Sequence, residues 1–78
     1  MTHHSKTFTT WPQHYAKNYS DGENLRVVPA RIKYSEDGET PGVVVFVHNK
    51  VTLVLTTEHA YNLANGIADA LEEGRNAA

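Results

Sequence analysis

The sequence predicts an α+β fold: a three-stranded antiparallel sheet with a C-terminal helix packed on one face, and a short N-terminal helix as a further candidate. Two observations carry this prediction. Two β-branched runs, residues 43–47 and 51–55, flank His48-Asn49-Lys50, which is typical of a β-hairpin. The second run leads directly into residues 57–71, where apolar side chains recur with helical spacing.

The chain is predicted to hold a single domain over residues 11–74. Residues 1–10 are rich in Thr and His and are predicted to be a flexible N-terminus, and residues 75–78 a frayed tail. A domain this small buries only about 60% of its unfolded surface. Because the 78 residues include no Cys, a well-packed core or oligomerisation must stabilise it.

Residues 12–20 are a candidate helix. Pro12 suits its first position, and Asp21-Gly22 would end it. Trp11, Tyr15 and Tyr19 would then share one face at four-residue steps. An irregular segment anchored by the same aromatic side chains is the alternative.

Residues 25–34 are predicted to form the first strand, since apolar and basic side chains alternate along much of it. Pro29 lacks an N–H donor, which predicts an edge strand with a bulge or break near Pro29-Ala30. The phase of the alternation is compatible with either an unbroken strand or a bulge. The acidic segment 35–42 contains Gly38 and Pro41-Gly42 and is predicted to be a loop.

The hairpin strands should present two different faces. Alternation places residues 43, 45 and 47 with residues 51, 53 and 55 on one face. The other face carries Val44, Phe46 and Val54.

The C-terminal helix is predicted to begin at Thr56 or Thr57, either of which can cap it, and to end at Gly74. Its apolar stripe is assigned to the face of residues 43, 45 and 47. The stripe consists of Ala60, Leu63, Ala64, Ile67, Ala68 and Leu71.

One helix covers only one face of the sheet. The predicted helix therefore leaves Val44, Phe46 and Val54 on the other face uncovered. The N-terminal aromatic side chains could fold over them as a lid, or a second copy of the chain could pack there as a homodimer. These two arrangements can coexist. The third reading is an open surface or one that binds a foreign partner.

Composition excludes several classes of function. A net charge of −2 argues against a general polyanion binder. No apolar run approaches the roughly 20 residues that span a bilayer, and the N-terminal residues lack a signal-peptide hydrophobic region. These features predict a soluble cytoplasmic protein without membrane contact.

The residue pattern indicates no catalytic, cofactor or metal site. The five histidines lack the short spacings of metal ligands, and the three serines fall in predicted termini or turns. The acidic clusters 36–39 and 72–73 are typical of solvated charge. The chain is therefore predicted not to be an enzyme and to need no cofactor.

Basic residues are concentrated near the first strand, at Arg26, Arg31 and Lys33, with Lys50 in the hairpin. Charge on an edge strand protects it against aggregation, which is the favoured interpretation. The alternative is a small nucleic-acid contact surface formed by these four residues.

The predicted order helix, strand, strand, strand, helix over residues 12–71 resembles the double-stranded-RNA-binding domain. The segment TTEHAYNLANGIADAL is similar to the last helix of that family in the spacing of its residue types. Proteins of that family bind phosphates through a lysine-rich segment at the start of this helix. The corresponding residues here are Thr56-Thr57-Glu58-His59, so the resemblance implies the fold more than RNA binding.

The segment LTTEHAYNLANGIADAL also resembles a strand-to-helix junction, L-T-x-E-x-A-x-x-L-A-x-x-I/L-x-x-A-L, of small uncharacterised proteins of actinobacteria and their phages. The resemblance implies origin and fold, and no activity. The matching residues are Leu55, Thr56, Glu58, Ala60, Leu63, Ala64, Ile67, Ala70 and Leu71.

These observations favour a non-catalytic protein-interaction module, a phage or accessory protein that binds a host or partner protein as a homodimer. The interaction surface is assigned to apolar and aromatic side chains, because aromatic groups dominate interface energetics. The nominated residues are Val44, Phe46, Val54, Trp11, Tyr15 and Tyr19.

Overall fold

The computed structural model describes residues 7–77 and confirms the predicted α+β fold. The elements are α1 (Ala16–Glu23), β1 (Leu25–Lys33), β2 (Glu39–Val47), β3 (Lys50–Thr56) and α2 (Thr57–Ala77). The three strands form one antiparallel sheet in the order β1-β2-β3, so β2 is central. Within residues 7–75, Val45 of β2 is the one fully buried apolar side chain, with 4% of its surface exposed.

The N-terminal helix lies later in the chain than predicted. Residues 12–14 form a turn, and α1 runs through Asp21-Gly22 as far as Glu23. Gly22 does not take the left-handed conformation that would end a helix there. Instead the Asn24 side-chain amide donates to the Ser20 carbonyl at 2.8 Å and satisfies one of the last free acceptors.

The predicted four-residue steps of the aromatic residues are nevertheless present in the backbone. The Tyr15 N–H donates to the Trp11 carbonyl at 3.0 Å, and the Tyr19 N–H donates to the Tyr15 carbonyl at 2.9 Å. Helix-like turns therefore connect these three residues, although only Tyr19 lies within α1.

The predicted break near Pro29-Ala30 is wrong. β1 pairs with β2 in unbroken register, with Pro29 opposite Val43. An edge strand tolerates the missing donor of proline because each residue needs a partner strand on one side only. The loop after β1 is also shorter than predicted, since β2 begins at Glu39 and includes Gly42.

Gly42 occupies a position where no larger residue fits. A Cβ atom there would collide with the Leu55 carbonyl oxygen and lie 2.6 Å from the Ile32 Cδ1 atom. Close approach of β3 and of the Ile32 side chain therefore requires glycine in the central strand.

The hairpin turn contains two residues, His48 and Asn49, with φ angles of 52° and 67°. Positive φ at both positions defines a type I′ turn, whose twist matches that of the flanking strands. Asn and His are among the residues that enter this region most readily. Lys50, predicted as part of the turn, already belongs to β3.

A register irregularity between Val45 and Phe46 changes the predicted pattern of faces. Val45 lies opposite Leu53, but Phe46 lies opposite Val51. The prediction that residues 51, 53 and 55 share one face is therefore wrong, because the irregularity shifts Val51 to the side of Phe46.

The helix start is as predicted and the helix end is not. The His59 N–H donates to the Thr56 hydroxyl at 3.3 Å, so Thr56 caps α2. Gly74 does not end the helix, which continues to Ala77. The frayed tail over residues 75–78 stays a prediction, and Ala78 lies outside the described residues, as do residues 1–6 of the predicted flexible N-terminus.

The molecule is open rather than compact. Its radius of gyration is 16.1 Å and its principal extents are 50 × 36 × 14 Å. A compact chain of this length has a radius of gyration of about 11.5 Å. The helix and the sheet therefore enclose too little volume for a complete core.

Replacement of Gly42 by Ala should destabilise the protein. The added methyl group must displace a backbone carbonyl in β3, and overpacking of this kind costs about 1–3 kcal/mol in free energy of unfolding. Urea denaturation followed by circular dichroism would measure the loss.

Gly66→Ala is the matched control, because a Cβ atom at this position in α2 meets nothing within 4 Å. It should raise the free energy of unfolding by about 0.5–1 kcal/mol through improved helix propensity. Equal effects of the two substitutions would contradict the close packing at Gly42.

Candidate interaction surfaces

An open apolar groove of about 460 Å³ lies between α2 and the sheet. We call it the α2 groove. The sheet contributes aliphatic side chains from all three strands and the helix contributes its apolar stripe. The lining residues are Val27, Val43, Val45 and Leu55 of the sheet, Ala60, Tyr61, Leu63, Ala64 and Ile67 of the helix, and Pro41, Gly42 and Thr57 where the helix begins.

The groove opens beyond the start of α2, where the helix is bonded to the sheet. The helix follows β3 without an intervening loop, and the Thr57 hydroxyl donates to the Pro41 carbonyl at 3.1 Å. Along the apolar stripe the exposed fraction then rises, from 43% at Leu63 to 52% at Ile67 and 66% at Leu71. The helix is therefore on the predicted face but does not bury its stripe against it.

The chemistry of the groove favours apolar ligands. Its lining includes two hydroxyl groups, on Thr57 and Tyr61, and no charged side chain. The Thr57 hydroxyl already donates to Pro41. A small polar substrate would find few groups to fix its orientation, whereas a helix or strand with apolar side chains would find a complementary surface.

The opposite face of the sheet carries the predicted cluster of Val44, Phe46 and Val54. Val44 and Val54 lie opposite each other on neighbouring strands, and Val54 is 56% exposed. The Arg26 guanidinium stacks over the Phe46 ring at 4.7 Å, a cation–π contact that covers part of the ring. The Arg26 side chain therefore covers part of this apolar face.

The N-terminal aromatic residues do not form the predicted lid in this structure. Tyr15 makes an edge-to-face contact with Phe8, at 6.2 Å between ring centroids. The Tyr19 hydroxyl shares a hydrogen bond with that of Thr10, and Trp11 is 57% exposed. The segment thus packs largely on itself, so the six nominated interaction residues fall into two separate groups.

Hydrogen bonds and a His48–Asp21 contact join α1 to the hairpin turn. The His48 N–H donates to the Asn24 carbonyl at 3.1 Å. The His48 Nε2 atom lies 3.3 Å from the Ser20 hydroxyl and 3.1 Å from Asp21 Oδ1. The turn residue His48 therefore holds the N-terminal helix at the hairpin end of the sheet.

Asp21 is the centre of this junction. The Lys17 ammonium donates to its carboxylate at 3.0 Å. This hydrogen bond and the nearby charges of Lys17 and His48 lower the pKa of Asp21 below its ordinary value of 3.8, against a smaller opposing effect of desolvation.

The structure does not bring the four basic candidates together. Arg26 points to the Phe46 face, whereas alternation along β1 puts Arg31 and Lys33 on the face of Val27. Arg26 and Arg31 are also separated by about 17 Å along the strand. Lys33 lies opposite Glu39, whose charge offsets its own. Lys50 lies beside the hairpin turn, at the end of the sheet away from Arg31 and Lys33.

No group of three or more His, Asp or Glu side chains in the described part of the chain could hold a metal ion. No helix within residues 7–77 is long and apolar enough to cross a membrane. His3 and His4 lie outside the described residues.

The groove residues were not nominated from the sequence because they had been assigned to the core. One signal pointed to them: half of the predicted helix stripe is Ala, namely Ala60, Ala64 and Ala68. These side chains are too small to fill the space above a valine-rich sheet unless the helix approaches closely.

Comparison of the chain with protein-family models, with curated proteins and with solved structures found no match. The element order agrees with the order predicted from the sequence. The resemblances to the double-stranded-RNA-binding domain and to actinobacterial and phage proteins stay predictions.

The junction between α1 and the hairpin turn should weaken in acid. Because the pKa of Asp21 is lower in the folded chain than in the unfolded chain, its stabilising contribution is complete above pH 3.8 and is lost as the pH falls through the lowered pKa. An NMR titration of the Asp21 carboxyl and the His48 amide would follow the protonation of Asp21 and the weakening of the junction. A carboxyl pKa at or above 3.8 would contradict this geometry, and Glu23→Gln on the same helix should leave both curves unchanged.

Proposed function

We propose that this protein is a non-catalytic protein-interaction module that binds an apolar polypeptide segment in the α2 groove. One observation carries this proposal: the sheet and the helix stripe leave their facing apolar side chains around an open groove of about 460 Å³. Burial of each such side chain contributes about 1.5–3 kcal/mol, so a partner that covers several of them gains substantial binding free energy.

The shape of the groove supports a polypeptide ligand over a small molecule. Small-molecule sites enclose most of the ligand and place several polar groups at defined points. Here the charged groups lie outside the lining, and Tyr61 stands exposed at the helix wall. Recognition of an amphipathic helix by an apolar groove needs no more than this arrangement.

This function is in keeping with the role predicted from the sequence, a phage or accessory protein that acts by holding a host or partner protein. The Val44–Phe46–Val54 face is a second surface for the same kind of contact. Nucleic-acid binding has weaker support, because Arg26, Arg31, Lys33 and Lys50 form no common patch.

A synthetic amphipathic helical peptide of Leu, Ala and Lys should bind the full chain. Fluorescence anisotropy of the labelled peptide would measure its Kd. Ile67→Glu should weaken binding at least tenfold, because it places a carboxylate in the groove wall.

Asn62→Glu is the matched control, because it adds the same charge to an exposed position of α2 outside the groove. Equal affinity of the two variants, or salt-sensitive binding of duplex RNA with no peptide binding, would refute the proposed function.

A further inference from the structure

We propose that the occupant of the α2 groove is α2 of a second copy of this chain, in an isologous dimer in which each helix packs into the groove of its partner. This inference rests on the proposed function and names its partner. The groove would then be one half of a shared core.

The accessible surface area supports an extensive dimer. The chain exposes 6801 Å². A compact monomer of 8.7 kDa exposes about 4,700 Å². The excess is about 2,000 Å² per chain, part of it on the N-terminal aromatic segment, and obligate dimers bury about 2,000–5,000 Å² in total.

No segment of residues 7–77 fills the groove. α1 is bonded to His48 at the hairpin turn, whereas the groove reaches Pro41 at the other end of β2, about 20 Å away. Residues 1–6, MTHHSK, contain one large apolar side chain, Met1. Neither segment supplies the apolar volume that a second α2 offers.

The helix stripe has the properties that the groove requires. Leu63, Ile67 and Leu71 present exposed apolar side chains, and Ala60 and Ala64 leave room for a second helix to approach. Since α2 is both a wall of the groove and its ligand, a two-fold axis satisfies both copies with the same contacts.

Charge selects an antiparallel arrangement of the two helices. The second half of α2 carries the larger negative charge. It contains Asp69, Glu72, Glu73 and Arg75, whereas the first half contains Glu58. Parallel helices would bring two such acidic ends together, whereas antiparallel helices separate them and oppose their dipoles favourably. Full overlap of the two stripes then places Ala60 near Leu71 of the partner subunit.

Sedimentation velocity across micromolar concentrations tests the dimer. Wild type and Asn62→Glu should sediment at twice 8.7 kDa, and Ile67→Glu should raise the dimer Kd at least tenfold. Phe46→Glu on the other face should remain dimeric. A folded wild-type monomer at all concentrations would overturn the inference, and so would dissociation by Phe46→Glu with no effect of Ile67→Glu.

Cross-linking tests the arrangement without disturbing folding by a buried charge. The chain has no Cys, so single-cysteine variants can be mixed. Ala60→Cys and Leu71→Cys chains should cross-link to each other through a short bismaleimide, and neither should cross-link alone. Cross-linking of each variant with itself would overturn the antiparallel arrangement, and no cross-linking in any mixture would overturn the helix pairing.

The two proposals fail in different ways. A monomeric wild type that still binds the amphipathic peptide would overturn the dimer and leave the proposed function standing. A monomer that does not bind the peptide would refute both.

Discussion

The direct junction between β3 and α2 is the constraint on which the rest of the structure depends. Thr56 ends the strand and caps the helix, and the Thr57 hydroxyl binds the Pro41 carbonyl of the central strand. No loop separates the two elements, so the direction of the helix is set at its first turn. From there the helix diverges from the sheet, and the α2 groove follows.

An open groove has a direct consequence for stability. A domain of this size is marginally stable even when it is compact, and here Val45 is the one fully buried apolar residue in the described part of the chain. A partner that binds the folded state stabilises it by mass action. Binding in the α2 groove would therefore complete the core. The free energy of binding would then also stabilise the folded state.

The other end of the sheet is organised by polar contacts. His48 holds α1 through the backbone of Asn24 and the side chains of Ser20 and Asp21. Its positive φ angle lets it serve the type I′ turn and this junction together. On the Val44–Phe46–Val54 face, the Arg26 side chain provides partial cover.

The sequence by itself determined the element types, the edge position of β1, the turn at Asn49 and the Thr56 cap, because these depend on local backbone and side-chain chemistry. Tertiary structure decided the continuity of β1 at Pro29, the need for glycine at position 42 and the irregularity after Val45, since neighbouring strands impose them. Tertiary structure also decided where the candidate site lies. Periodicity identifies the apolar stripe of α2, but only the path of the helix relative to the sheet shows that this stripe remains open.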